Sequence, residues 1–322
     1  MTQRKFSLAD IITILSALTF GFLCFLGANF LNIGKSLVWG MEQTTGCIVM
    51  ALSISILLFG AAYGAKLLKR TSRNFKSSFI WEISLLALFF LLAVTFTMKS
   101  SPFIHYFTVK AQQSEIENKL QTNILQAEKM FVEYESYVEN RKYLYQSTLQ
   151  RVVNSKGTNQ LAYYDLGFDD TSGISDASQI QTKMFSINAD LFPSNYTDSV
   201  NHNGLKEIAT EWLQEAKSTV SNWKPIGIVG VIHEIEKNSN DWLIELINLS
   251  KVQEQGESHQ EFVYTLSFND VKSHFTEPES PSLLSIGIAS IMYVLMLLSW
   301  FVTKRDSRST GSLTTAPYEV AL

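Results

Sequence analysis

Cysteine is scarce in this sequence, and its absence from the polar region narrows the classes of protein to consider. Only two cysteines occur in 322 residues, Cys24 and Cys47, and both lie in or beside apolar runs. The polar region 103–282 therefore contains no disulfide, whereas small secreted domains usually depend on several. A region of about 180 residues can form a core without them. We therefore favour a bacterial envelope protein.

Recognisable catalytic, metal-binding and phosphate-binding motifs are also missing. His233 and Glu234 begin the zinc-protease motif H-E-x-x-H, but Lys237 occupies the position of the second histidine. The segment Gly173-Ile-Ser-Asp-Ala177 lacks the second glycine of G-x-S-x-G. The histidines share no metal-ligand spacing: His105, His202, His233, His259 and His274. We therefore predict a protein that is not an enzyme and has no catalytic, cofactor-binding or metal site.

Ser, Asn, Asp and Gly dominate residues 154–203. This composition predicts a long connection with one short helix near residues 180–191. Its aspartates do not follow the EF-hand pattern, so we predict a solvated loop in preference to a calcium site. These aspartates are Asp165, Asp169, Asp170 and Asp176.

Four apolar runs are present, each long enough to cross the ~30 Å hydrocarbon core of a membrane. They span residues 11–31, 46–68, 79–98 and 283–302. The first run exceeds the hydrophobic part of a cleaved signal peptide, so it predicts a retained helix. We predict a mainly α fold: a four-helix integral membrane protein with a large, mostly helical extracytoplasmic domain between transmembrane helices three and four.

The domain boundaries follow from these runs. Residues 1–102 form an N-terminal cassette of three transmembrane helices, and residues 103–282 form the extracytoplasmic domain. The fourth helix occupies residues 283–302, and residues 303–322 form a disordered cytoplasmic tail.

Lysine and arginine are concentrated on one side of the runs, and this asymmetry predicts the topology. Ten basic residues flank one side: Arg4, Lys5, Lys66, Lys69, Arg70, Arg73, Lys76, Lys304, Arg305 and Arg308. The other short flanks carry Lys35 and Lys99. Both termini are therefore predicted to be cytoplasmic, in a bacterial inner membrane, with residues 103–282 in the periplasm or outside the cell.

The predicted outside domain is acidic, with 25 acidic and 14 basic residues between positions 103 and 282. Nucleic-acid binding requires Lys and Arg to neutralise phosphates, so the charge argues against nucleic acid as a partner. The partners we predict are the lipid bilayer and a protein that contacts this domain.

The domain begins with an amphipathic stretch from about Lys110 to Val153. Its inward positions alternate at spacings of four and three, which is a heptad pattern. Aromatic residues and Arg141 interrupt this seam, so we predict packing on helices of the same domain; a homodimeric coiled coil is the alternative. The series is Ile116, Leu120, Ile124, Ala127, Phe131, Tyr134, Val138, Arg141, Tyr145, Thr148 and Val152. Pro102 precedes the stretch as a rigid joint or a hinge.

The rest of the domain is predicted to be mostly helical. A helix beginning near Gly204 has an apolar face that includes Trp212. Residues 226–247 fit a helical period, but dense β-branched residues leave a strand at 226–235 as the alternative. Residues 262–268 alternate and predict a short strand or an extended return. We predict core roles for Trp212, Trp223 and Trp242. Some of Tyr134, Tyr137, Tyr143 and Tyr145 are predicted to line a groove or partner surface.

Small residues four apart let helices approach closely in lipid. Such pairs are Ala17 with Gly21, and Gly60 with Gly64. We favour packing within one bundle; a homo-oligomer through Gly60 and Gly64 is the alternative. Glu82 is predicted to lie near the headgroups and not on a transport path.

The order of elements resembles the tetraspanin layout: a small first outside loop, a short inner loop, a large second outside loop and inner termini. The large loop has no Cys-Cys-Gly motif, so the resemblance concerns architecture alone. A helical domain between two membrane helices is also similar in plan to the sensor domains of bacterial receptors.

We predict that the extracytoplasmic domain binds a protein partner or ligand, as part of an envelope sensor or scaffold. The first alternative is a subunit of a transporter or channel. The second is a membrane-anchored enzyme with an unrecognised extracytoplasmic site.

Overall fold

The computed structural model describes residues 7–31, 43–70, 75–98, 101–198, 201, 203–258, 260–276 and 280–305. All regular structure in these ranges is helical, without a strand, so the predicted mainly α class is confirmed. The helices are α1 (Leu8–Leu31), α2 (Gln43–Lys69), α3 (Phe75–Phe96), α4 (Pro102–Ala111), α5 (Gln113–Asn154), α6 (Gln160–Asp165), α7 (Asp176–Leu191), α8 (Leu205–Ser221), α9 (Pro225–Ser250), α10 (Ser273–Thr276), α11 (Leu283–Met296) and α12 (Leu298–Val302).

The chain forms two compact units. The bundle unit combines residues 1–114 with residues 272–322, and the helical unit comprises residues 115–271. The helical unit is therefore an insertion between two segments of the bundle unit. The predicted membrane boundaries at residues 103 and 282 stay predictions.

Three helices of the bundle unit are long and apolar enough to cross a membrane: α1, α2 and residues Ser77–Phe96 of α3. They coincide with the first three apolar runs. The fourth run is interrupted at Leu297, so α11 has only 14 residues, fewer than the ~20 that a crossing requires. The fourth crossing stays a prediction, and residues 306–322 of the predicted disordered tail lie outside the described residues.

Helix α1 lies at the centre of the bundle unit. Every residue from Cys24 to Phe30 is buried, as expected for a helix covered on all sides. Two glycines allow this close packing. A Cβ added at Gly21 would lie 2.8 Å from the Ala51 carbonyl oxygen of α2. A Cβ added at Gly27 would lie 2.6 Å from the Pro102 carbonyl carbon of α4.

Pro102 begins α4. The first residue of a helix has no acceptor within the helix for its N–H, so the lack of an N–H in proline costs nothing there. The Ser101 hydroxyl caps this helix by accepting a hydrogen bond from the Ile104 N–H at 3.3 Å. Phe103 stacks on Phe20 of α1 with 4.6 Å between ring centroids. Since α3 ends at Phe96 and Gln112 separates α4 from α5, the third apolar run and the long helix are not one continuous rod.

Helix α5 buries the predicted seam as far as Tyr145. Beyond it, Thr148 and Val152 are only half-buried, and Leu149 is fully buried in their place. A straight helix drifts away from a 3.5-residue repeat by about 20° per heptad, which accounts for the shift. The seam packs inside the helical unit, for example Phe131 against Trp242 of α9.

The helix predicted near residues 180–191 is confirmed as α7, which begins earlier, at Asp176, and ends at Leu191. The connection 154–203 contains a second helix, α6, so the prediction of a single helix in it was wrong. Helix α9 runs unbroken through residues 226–235, and the strand alternative is also wrong. Its buried residues Ile228, Ile232 and Ile235 recur with helical spacing on the face towards the core, and this burial outweighs the local β propensity.

Residues 251–271 form an extended segment along α5. Phe262, Tyr264, Leu266 and Phe268 are buried or half-buried, while the residues between them are exposed. Side chains of α5 replace a neighbouring strand: the Ser267 N–H donates to Gln126 Oε1 at 3.0 Å, and the Asn269 N–H donates to Asn123 Oδ1 at 2.8 Å. The alternating pattern therefore marks the extended return and not a strand.

Candidate functional site

Arg141 forms a buried polar cluster in the helical unit. Its guanidinium pairs with the Glu257 carboxylate on both oxygens, and the two side chains are 4% and 2% exposed. The same guanidinium donates to the carbonyl oxygens of Ser250 and Val252. Burial opposes its charge, but the Glu257 carboxylate outweighs burial and raises the pKa of Arg141. The cluster fixes the extended segment onto α5, a role that the heptad pattern did not indicate.

Three of the four tyrosines on α5 face inward. Tyr134 donates to the Leu191 carbonyl at 2.9 Å, and Tyr137 donates to the Gln260 carbonyl at 2.7 Å. Burial raises the pKa of Tyr145 to about 12. Tyr143 is 70% exposed, and it lines a surface groove of about 700 Å³ formed by residues 143–158. The prediction that some of these tyrosines line a groove is therefore confirmed for Tyr143.

A smaller cavity lies between α8 and α9, within the helical unit. The helices are joined by a short turn in which the buried Trp223 adopts a left-handed backbone with φ of 42°. The cavity measures about 200 Å³. Its wall is formed by Trp212, Glu215, Ala216, Thr219, Gly227, Gly230, Val231 and Glu234.

Trp223 and Trp242 are buried, as predicted for core residues, whereas Trp212 is half-buried. Trp242 is 7% exposed and contacts Phe131. Trp212 is half-buried and meets Trp242 edge-on at 5.8 Å between centroids. This contact fixes the Trp212 ring, whose remaining surface lines the cavity between α8 and α9. The sequence does not predict this cavity; the nearest signal is the pair Gly227 and Gly230, which as sequence features only weaken a helix.

Two buried carboxylates form ion pairs in the described part of the bundle unit. Asp10 of α1 pairs with Lys66 of α2, and Glu82 of α3 pairs with Arg305 at 2.6 Å. Glu82 also accepts a hydrogen bond from Trp300 Nε1 at 2.9 Å. These interactions join α3 to the last apolar segment. Glu82 is 1% exposed, so a structural role suffices to explain it.

The two small-residue pairs differ in their surroundings. Gly21 packs against α2, as predicted for packing within one bundle. A Cβ added at Gly64 would lie 2.9 Å from Leu85 Cδ1 of α3, whereas one at Gly60 would meet no atom within 4 Å. Gly64 therefore serves contact inside the bundle. The homo-oligomer alternative stays a prediction, with Gly60 as its accessible member.

Within each unit, the described histidines and aspartates do not form a shared metal-binding site. His105 is buried on α4 and His233 is exposed on α9, whereas His202 and His259 lie outside the described residues. The aspartates satisfy local hydrogen bonds: Asp169 accepts from the Thr171 N–H at 2.7 Å, and Asp176 accepts from the Tyr163 hydroxyl at 2.6 Å. Among the described residues, no group of three His, Cys, Asp or Glu side chains has metal-binding geometry.

His105 makes the stability of the bundle unit sensitive to acid. It is 4% exposed, and its Nε2 has no hydrogen-bond partner within the described ranges. Burial lowers the pKa of His105 from 6.5 to about 4. Between pH 6.5 and pH 4, His105 is therefore protonated in the unfolded chain and neutral in the folded state. The free energy of unfolding, which is at its full value above pH 6.5, declines as the pH falls towards 4. The loss reaches about 3 kcal/mol.

Replacing His105 with phenylalanine removes this dependence. Thermal unfolding in detergent, followed by circular dichroism from about pH 7 to pH 4, should show the variant gaining stability relative to wild type as the pH falls. A difference between the two proteins that stays constant across this range would contradict the prediction.

No protein-family model matches the sequence, and neither the curated proteins nor the solved structures give a match.

Proposed function

We propose that this chain is a membrane-anchored binding protein of the bacterial envelope. In this proposal the bundle unit crosses the membrane four times, with both termini in the cytoplasm. The helical unit lies outside the cytoplasm in this proposal and binds a protein partner or a ligand there. One observation carries the proposal: the acidic helical unit is inserted between the apolar segments of the bundle unit, so both of its ends return to that bundle.

The fourth crossing is supported by the hydrogen bonding around Leu297. The Leu297 N–H donates to the Tyr293 carbonyl at 3.0 Å, and the Phe301 N–H donates to the Leu297 carbonyl at 3.0 Å. The helical hydrogen-bond pattern therefore passes through the interruption. At 1.5 Å per residue, a helical segment of about 20 residues reaches the ~30 Å that the hydrocarbon core requires.

Photocrosslinking in intact cells tests the binding role. A photoreactive phenylalanine analogue at Tyr143, which is 70% exposed on the groove of residues 143–158, should capture a defined partner. The same analogue at Tyr145, which is 2% exposed on the same helix, is the matched control and should give no adduct. Equal labelling at both positions, or no adduct at Tyr143 beyond background, would count against the proposal.

A further inference from the structure

The cavity between α8 and α9 exists because glycine and alanine occupy its floor. A Cβ added at Gly230 would meet no atom within 4 Å, whereas one at Gly227 would lie 2.8 Å from Thr219 Cγ2. The helices therefore touch at Gly227 and leave space beside Gly230. At about 200 Å³, this space is smaller than the ~300–1,000 Å³ of pockets for drug-sized ligands, so it suits a short molecule.

The chemistry of the wall favours a cation. Glu215 of α8 and Glu234 of α9 are exposed and line the open side of the space, and neither forms an ion pair in the described part of the chain. The fixed ring of Trp212 lies beside them, and an aromatic face attracts an ammonium group. The whole helical unit carries 23 acidic and 12 basic residues, and this net charge raises the local concentration of cations.

Thr219 provides a separate indication of a ligand. Thr219 is 6% exposed and lines the cavity, yet its hydroxyl makes no hydrogen bond to the residues that the structure describes. A threonine in a helix can bond to a carbonyl one turn earlier, as Thr122 does with Asn118 at 2.8 Å, and Thr219 does not. The Thr219 oxygen is therefore free to accept a hydrogen bond from a bound ammonium group.

We infer that the cavity between α8 and α9 binds a short aliphatic diamine. Its ammonium groups donate to the Glu215 and Glu234 carboxylates and to Thr219, and its carbon chain lies against Trp212 and Val231. Because the two helices supply two carboxylates, a ligand with two positive charges fits the cavity better than a ligand with one positive charge. This inference rests on the proposed binding role and names the ligand class.

Calorimetric titration of the full-length protein in detergent with putrescine tests the inference. Binding should be tighter than about 1 mM, and equimolar butylamine, which has one charge, should bind at least tenfold more weakly. Glu215→Gln and Glu234→Gln should each lose at least tenfold in affinity, because a hydrogen bond to a charged group is worth about 1.5–3 kcal/mol. Asp241→Asn, an equal charge change at an exposed position of α9, should retain wild-type affinity.

Gly230→Leu separates a filled cavity from a misfolded unit. The new side chain enters open space, and the helix gains stability because glycine is a poor helix residue. Circular dichroism should therefore stay unchanged while putrescine binding is lost. No binding by the wild type, or equal binding by the Gly230→Leu protein, would overturn the inference. Either result would leave the Tyr143 crosslink intact, so failure of the diamine site and failure of the proposed binding role are distinguishable.

Discussion

Replacing Arg141 with methionine is expected to lower the free energy of unfolding of the helical unit by about 3–5 kcal/mol. Methionine fills similar space, but it leaves the Glu257 carboxylate, 2% exposed, without its counter-charge. The carbonyl oxygens of Ser250 and Val252 lose their donors in the same step. Chemical unfolding of the full chain in detergent, followed by tryptophan fluorescence, measures the loss, because three of the six tryptophans, Trp212, Trp223 and Trp242, lie in this unit.

A matched control is the ion pair between Lys206 and Glu135, whose side chains are 40% and 36% exposed. Water already solvates both groups, so Lys206→Met should cost less than about 1 kcal/mol. Adding Glu257→Gln to Arg141→Met removes the unpaired charge and should recover part of the stability. Similar losses for Arg141→Met and Lys206→Met would show that burial does not govern the cluster.

Gly256 forms the turn that positions Glu257 in this cluster. Its φ of 77° lies in the left-handed region that glycine adopts without strain, and the next residue is Glu257. The turn therefore brings the carboxylate back to α5. The sequence shows a glycine before a glutamate, but it does not show that Arg141, 116 residues earlier, is the partner.

Features of this fold that depend on neighbouring residues can be predicted from the sequence, whereas contacts between distant residues cannot. The first three apolar runs coincide with α1 to α3 because membrane solubility depends on composition, which is local. The seam of α5 is predictable because its period is local. The partner of Glu82 is not, because Arg305 lies 223 residues away and no periodic pattern links them.

The cavity between α8 and α9 could not be predicted from the sequence pattern. Gly227 and Gly230 lie three residues apart and count equally against a helix. Their effects depend on what α8 presents to each: Thr219 meets Gly227, and empty space adjoins Gly230. Only the packing of the two helices distinguishes a contact from a cavity, and that packing depends on burial elsewhere along α9, for example at Trp242.

Replacing Gly27 with alanine is expected to destabilise the bundle unit by about 3 kcal/mol, at the upper end of the cost of overpacking a core. The added Cβ would overlap the Pro102 carbonyl and lie 3.1 Å from the Tyr106 backbone nitrogen. Both obstacles are backbone atoms, so no side chain can rotate away. The α1–α4 crossing must therefore widen, which also loosens the stacking of Phe20 on Phe103.

Gly60→Ala is the matched control, since the same methyl group is added to another helix of the bundle unit. No atom lies within 4 Å of its Cβ position, so the loss of backbone freedom in the unfolded chain should stabilise this variant by up to about 1 kcal/mol. The half-life of the monodisperse protein in detergent at raised temperature measures both effects. It should shorten for Gly27→Ala and lengthen or stay constant for Gly60→Ala. Equal shortening for both variants would contradict the crossing of α4 over α1 at Gly27. That crossing places backbone atoms against Gly27 and none against Gly60, so it predicts a loss for Gly27→Ala alone.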